Sequence, residues 1–125
     1  MKTRLKTSKQ GETILRNIKN KYGLTPNILC RYAIGLSLKS ERPLDYKLDS
    51  NGFEFQRSTL TGDEDLLIKE LIKNDIGNYI TDDEYMKKYL KAHIERGLLE
   101  LESSVKLCGG FENFIEELIR TGGTI

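Results

Sequence analysis

The sequence predicts a mainly α fold: a short N-terminal strand followed by two helices, in the manner of a ribbon-helix-helix unit, then two or three further amphipathic helices packed as one domain in an oligomer. Three observations carry this. Apolar residues recur at three- and four-residue spacing through most of the chain, threonine-led caps stand just before those stretches, and apolar–polar alternation is confined to two short segments. With 125 residues, 38% hydrophobic and 31% charged, the chain has the size of a single domain, residues 1–125. A core of that size needs no disulfide staples.

Lys2-Thr3-Arg4-Leu5-Lys6-Thr7 alternates, so an extended conformation puts Lys2, Arg4 and Lys6 on one face and Thr3, Leu5 and Thr7 on the other. Thr7 with Gln10, or Ser8, caps a helix that begins near Lys9 and stops at Gly23. Ile14, Leu15, Ile18 and Tyr22 form its apolar stripe; Lys9, Arg16 and Asn20 fall opposite, flanked by Lys19. Thr25-Pro26 opens a second helix, which runs through Leu38. That helix is apolar on more than one side, with Leu29, Tyr32, Ala33 and Leu36 on one stripe and Ile34 and Leu38 pointing away. Ile28, Leu29, Tyr32, Ile34, Leu36 and Leu38 are therefore expected at an oligomer interface, unless the C-terminal half folds over them.

Residues 40–62 carry turn signals at Glu41-Arg42-Pro43 and Asp49-Ser50-Asn51-Gly52, and Phe53-Glu54-Phe55-Gln56-Arg57 alternates like a short strand or extended linker. Thr61-Gly62-Asp63-Glu64 reads as a capping box before a helix with Leu67, Ile68, Leu71 and Ile72 on its stripe. Thr81-Asp82-Asp83-Glu84 is another, before Tyr85, Met86, Tyr89, Leu90, His93 and Ile94; that helix ends at Gly97 or continues through Leu101. After Gly109-Gly110 a last amphipathic helix carries Phe111, Phe114, Ile115, Leu118 and Ile119 and ends at Gly122-Gly123.

The net charge of +1 conceals a division. Residues 1–47 hold eleven bases against three acids, and residues 48–125 nine bases against sixteen acids. A basic segment carried by an acidic body suits a polyanion, with an ordinary solvated surface as the plain alternative. Lys2, Arg4, Lys6, Lys9, Arg16, Lys19 and Lys21 are the candidate phosphate contacts, and the first turn of the second helix, Thr25 to Asn27, offers backbone amides. Few aromatics interleave with these bases, which favours duplex backbone over single strands.

Little else announces chemistry. One histidine and two separated cysteines make no zinc site, and there is no phosphate-binding glycine loop. His93 shares a helix face with Tyr85 and Tyr89, which suits a hydrogen-bonded interior imidazole better than a general base. Cys30 sits on the apolar helix as a small core residue, and Cys108, in a more open position, has no nearby histidine to activate it. The acids of 63–65 and 82–84 fall in first helical turns, where the helix dipole explains them. No catalytic residue, metal or cofactor is expected. Neither a membrane span nor an export signal is visible, and the cytoplasm is the expected location.

The stretch Asn27-Ile-Leu-Cys-Arg-Tyr-Ala-Ile-Gly-Leu-Ser-Leu38 resembles a segment of the DndE family of DNA sulfur-modification proteins, as do Phe55-Gln-Arg-Ser-Thr-Leu-Thr-Gly62 and His93-Ile-Glu-Arg-Gly-Leu98. The likeness spans most of residues 1–102. It implies a small helical homo-oligomer, expected as a tetramer, that serves bacterial phosphorothioation, the replacement of a non-bridging phosphate oxygen of DNA by sulfur. It also implies an accessory role beside a cysteine desulfurase, a sulfurtransferase and an ATPase.

Joined to the charge pattern, the resemblance gives a noncatalytic subunit that holds double-stranded DNA, intact or nicked. Three other readings stand beside it: an assembly scaffold that works through the acidic half, a ribbon-helix-helix transcription regulator, and a sulfur carrier using Cys30 or Cys108.

Overall fold

The computed structural model describes residues 3–120; Lys2 and the Gly122-Gly123 stop lie outside them, as do the side chains of Phe111 and Leu118. Strand β1 (Arg4–Lys6) buries only Leu5, as its alternation requires, and pairs antiparallel with β2 (Glu54–Gln56), setting Leu5 opposite Phe55. Bonds from the Thr7 amide to the Phe53 carbonyl (2.8 Å) and from the Arg57 amide to the Thr3 carbonyl (2.7 Å) extend the ladder. The N-terminal strand thus takes its partner from within its own chain.

Helix α1 (Lys9–Tyr22) is capped by Ser8, whose hydroxyl accepts from the Gly11 amide at 2.9 Å. Gly23, at φ 74°, closes the helix in a conformation that side chains disfavour. The expected stripe of Ile14, Leu15 and Ile18 is buried. Helix α2 (Pro26–Leu38) follows, and its whole length packs on α6 (Leu90–Leu107). The helices cross closely because Gly97 lacks a side chain: a Cβ there would stand 1.8 Å from the Ala33 carbonyl oxygen. Gly97 therefore marks a crossing point, and the helix continues ten residues past it to Leu107.

That crossing corrects the interface expectation for α2. Leu29 and Ile34 are 2% and 3% exposed, enclosed by the chain's own core, so they are not available to a second subunit. Tyr32, Leu36 and Leu38 are half-buried against the same core, and of the six residues only Ile28, at 52%, is exposed. All-round apolarity reflected burial by the C-terminal half, the alternative that composition left open.

Helix α3 (Arg57–Leu60), a 3-10 turn (Gly62–Glu64) and α4 (Asp65–Ile76) form the next layer. Thr61 does not cap α4; its hydroxyl instead meets the Arg57 carbonyl (3.0 Å) and the Asp65 carboxylate (2.6 Å). The stripe of α4 is narrower than its periodicity suggested: Ile68 and Ile72 are buried, while Leu67 and Leu71 are exposed, as is Leu66. Helix α5 (Asp82–Glu84) has the expected Thr81–Glu84 capping box and runs through a π turn (Tyr85–Tyr89) into α6 without a break. Residues 39–53 have no regular structure and lie as a strap along α6. Arg96 donates to the Arg42 carbonyl (2.7 Å) and Lys91 to the Asp49 carbonyl (2.6 Å), and Arg42 pairs with Glu100. Helix α7 (Phe111–Arg120) sets Phe114 edge-on to Tyr32 at 5.9 Å.

Candidate nucleic-acid interface

The outward face of α1 is built by the same period that buries Ile14, Leu15 and Ile18: Lys9, Arg16, Lys19 and Lys21 are all exposed. On β1, Arg4 and Lys6 are exposed while Leu5 points inward. Six of the seven candidate phosphate contacts can therefore be placed, and all six reach solvent. Three have carboxylate partners. Arg4 meets Glu54 at 3.1 Å, and Lys9 and Arg16 share Glu12 at 2.6 and 3.2 Å. The Lys9 hydrogen bond, with help from Arg16, holds the Glu12 carboxyl below its usual range. Arg16 also lies over the Phe53 ring. Lys6, Lys19 and Lys21 have no carboxylate partner among the described residues. In each pair the cation itself stands open to solvent, so a phosphate can compete with the carboxylate.

The first-turn amides differ between the two helices. At α1 they are occupied: the Ser8 amide donates to Glu95 at 2.6 Å and the Lys9 amide to Asp49 at 2.9 Å. Glu95 is buried, which pushes its carboxyl up, while the bonds from Ser8 pull it back. At α2, Thr25 makes no side-chain cap bond and the first turn holds no acid, so nothing from the helix's own sequence neutralises that end.

The composition count missed three cations. Lys87, Lys88 and Lys91 lie in the acidic half, yet the π turn and the start of α6 bring Lys87 and Lys91 beside Arg4 and Lys6 around one depression of about 310 Å³. The spacing of Lys87, Lys88 and Lys91, one and four residues apart, was the available signal.

Other bases are structural. Arg31 donates to the Leu60 and Thr59 carbonyls, both at 2.8 Å, and ties α2 to α3. Arg57 bonds Asp65 and Asp82, each at 2.7 Å, which holds the Asp82 carboxyl down at about 2. Tyr85 adds its hydroxyl to Asp65 at 3.1 Å.

Ser37, His93 and Asp75 have the composition of a nucleophilic triad but not its access. The Ser37 hydroxyl lies 2.9 Å from His93 Nδ1, and His93 Nε2 lies 3.5 Å from Asp75. Ser37 and His93 are both fully buried, and Arg96 donates to the same serine oxygen at 2.8 Å. The serine proton then points to Nδ1, which leaves the imidazole proton on Nε2, facing Asp75. Burial, then the charge of Arg96, lowers the imidazole to about 4, so it is neutral near pH 7. This is the interior histidine that the helix face foretold. Burial likewise pushes the Cys30 thiol up, away from thiolate reactivity. No group of three metal-ligating side chains occurs among the described residues.

With this geometry in place, the comparison with known families is decisive: the sequence profile of the DNA sulphur modification protein DndE matches residues 4–108. The chain belongs to the DndE family. Its fold is similar to a crystal structure of DndE from Escherichia coli B7A, involved in DNA phosphorothioation modification. The TM-score is 0.67 at 25% identity, covering 81% of this chain and 97% of that one. A glycine-to-lysine DndE mutant involved in DNA phosphorothioation is similar at TM-score 0.64 and 26% identity, covering 81% and 98%. No curated protein matches the chain. Helix α7 lies beyond the matched DndE residues. No helix among the described residues is long and apolar enough to cross a membrane.

Proposed function

We propose that this chain is a noncatalytic accessory subunit of a DNA phosphorothioation system that holds duplex DNA, at nicks in particular, through lysine and arginine contacts to the phosphate backbone. The observation that carries this reading is the exposed cation row of β1 and α1, in which Lys6, Lys19 and Lys21 have no carboxylate partner among the described residues, Arg4 meets the exposed Glu54, and Lys9 and Arg16 share the half-buried Glu12. Such contacts need charge and reach rather than fixed geometry. The reading places the chain in the cytoplasm as a homo-oligomer, a tetramer, beside a cysteine desulfurase, a sulfurtransferase and an ATPase, and calls for no cofactor or metal of its own.

The test is duplex binding titrated with salt on protein of known mass in solution. The reading expects log affinity to fall linearly with log salt, and a nicked duplex to bind more tightly than an intact one. Equal affinities remove the nick preference, and absence of salt-dependent binding removes the reading.

A second reading, an assembly scaffold for the modification proteins, is favoured by one feature: α4 carries Leu66, Leu67 and Leu71 at 71%, 59% and 42% exposure. Replacing Arg16 and Lys19 by glutamate separates the two. Unchanged DNA binding by that variant supports the scaffold; lost binding with the oligomer intact supports the grip on DNA.

A further inference from the structure

We propose that a trough beside the π turn takes an unpaired DNA strand, with a base stacked on Tyr46 and the neighbouring phosphates on Lys6, Lys87, Lys88 and Lys91. The proposal rests on the DNA-binding reading in taking DNA as the polyanion; its site shares Arg4 and Lys6 with that reading's row and otherwise lies apart from the outer face of α1. Two adjoining depressions of about 310 and 280 Å³ share Ser50, Lys87 and Lys91, with Lys91 bonded to Ser50 on their common border. Arg4 and Lys6 stand at one end, Lys88 and Tyr46 at the other. Of the acids along the trough, Glu54 is already paired with Arg4, and Asp45 lies at the Tyr46 end.

Tyr46 is 48% exposed on the strap, although its ring is held from the side by Tyr89 in an edge contact of 5.7 Å and 85°. That contact orients the ring, about half of which stays exposed. The Lys88 ammonium lies 4.6 Å from the Tyr46 centroid and 5.0 Å from that of Tyr89. Lys88 is exposed, so a base arriving on the ring displaces it toward the phosphate of the same nucleotide. Lys91 is fixed differently. Its ammonium donates to the Asp49 carbonyl at 2.6 Å and to Ser50 Oγ at 2.7 Å, leaving one N–H for a ligand where the two depressions meet.

The aromatic ring decides the class of ligand. In an intact duplex the bases are stacked on one another and offer only their edges, so Tyr46 gains nothing from it. An unpaired base offers a whole face, and lysines beside an aromatic platform are the recurring means of holding single strands. The π turn supplies the placement: insertions of this kind re-aim side chains and recur at functional sites, and here the insertion carries Lys87 and Lys88.

The experiment uses the full chain, a fluorescently labelled single-stranded oligonucleotide and an intact duplex of the same sequence, read by anisotropy at one salt concentration. Tyr46→Ala is expected to weaken single-strand binding about tenfold while duplex binding stays unchanged, and Tyr46→Phe to keep both. Lys87→Glu combined with Lys88→Glu is expected to weaken single-strand binding at least as much. Lys19→Glu is expected to show the reverse pattern, weakening duplex binding only. Because Tyr46 is exposed on a strap, its variants fold, and a melting curve checks this. Single-strand binding unaltered by Tyr46→Ala, or weakened equally with duplex binding, overturns the trough. Tyr46-dependent single-strand binding without salt-dependent duplex binding keeps the trough and removes the duplex reading instead.

Discussion

At the junction of α3, α4 and α5, the Arg57 side chain is 15% exposed and all its nitrogens are spent on two carboxylates. On the outer face of α1, Lys9 and Arg16 share one carboxylate while standing 69% and 55% exposed. Both places are rich in charge. The first closes its charges on one another to join three elements, whereas the second leaves them open to solvent and to a phosphate. A count of bases along the chain treats them alike, and the partners each base bonds tell them apart. Arg31, Arg57 and Arg96 build the molecule; the placed lysines of the first third face outward.

The largest effect that sharpens this contrast is expected for Arg57→Ala. Removing the cation leaves Asp65 and Asp82 facing each other, and the loss should be about 3 kcal/mol in urea denaturation, with no change in DNA binding per folded molecule. Wild-type stability would break the comparison at its closed end.

The next effect is in pH. The His93 imidazole titrates near 4 when folded and near 6.5 when unfolded, so the unfolded chain binds more protons between those values. Stability is therefore full above about pH 6.5 and falls with acidification toward 4, by about 2 kcal/mol between pH 7 and 4.5. Melting followed across that range checks it, and His93→Gln should flatten the profile.

At the open end, replacing Arg16 and Lys19 by glutamate should cut duplex affinity about tenfold or more and lower the salt slope by about 2, with stability within about 0.5 kcal/mol of wild type. Smaller still is Leu67→Ser, expected to change stability by less than about 0.5 kcal/mol, against about 3 kcal/mol for Ile68→Ala one residue on. The pair tests whether α4 turns the side that the structure gives it.

Much of the first forty residues was legible because its signals are local. Ser8 and Gly23 cap and stop a helix through bonds spanning a few residues, Pro26 opens the next through its fixed φ, and alternation in β1 and β2 names the inward residues Leu5 and Phe55. The strap was not legible, since it is held by Lys91 and Arg96 from some forty to fifty residues away rather than by its own sequence. On α4 the adjacent pairs Leu67-Ile68 and Leu71-Ile72 fit the period equally well, and only packing selects the isoleucines. Leu29 and Ile34 of α2 were assigned to a subunit contact and lie in the chain's own core for the same reason: periodicity shows that a face is covered, not by what. At the candidate site, the outward lysines of α1 were readable from period and charge. Lys87, Lys88 and Lys91 were hidden by the acidity of the half that contains them.

Two bonds tie the start of the molecule to a residue far along the chain. Ser8 begins the first helix, yet its amide and hydroxyl are both held by Glu95, eighty-seven positions later. A ribosome releases the chain N-terminus first, so the lysine-rich segment emerges before the carboxylate that holds Ser8. Until α6 follows, the start of the first helix lacks both of these bonds.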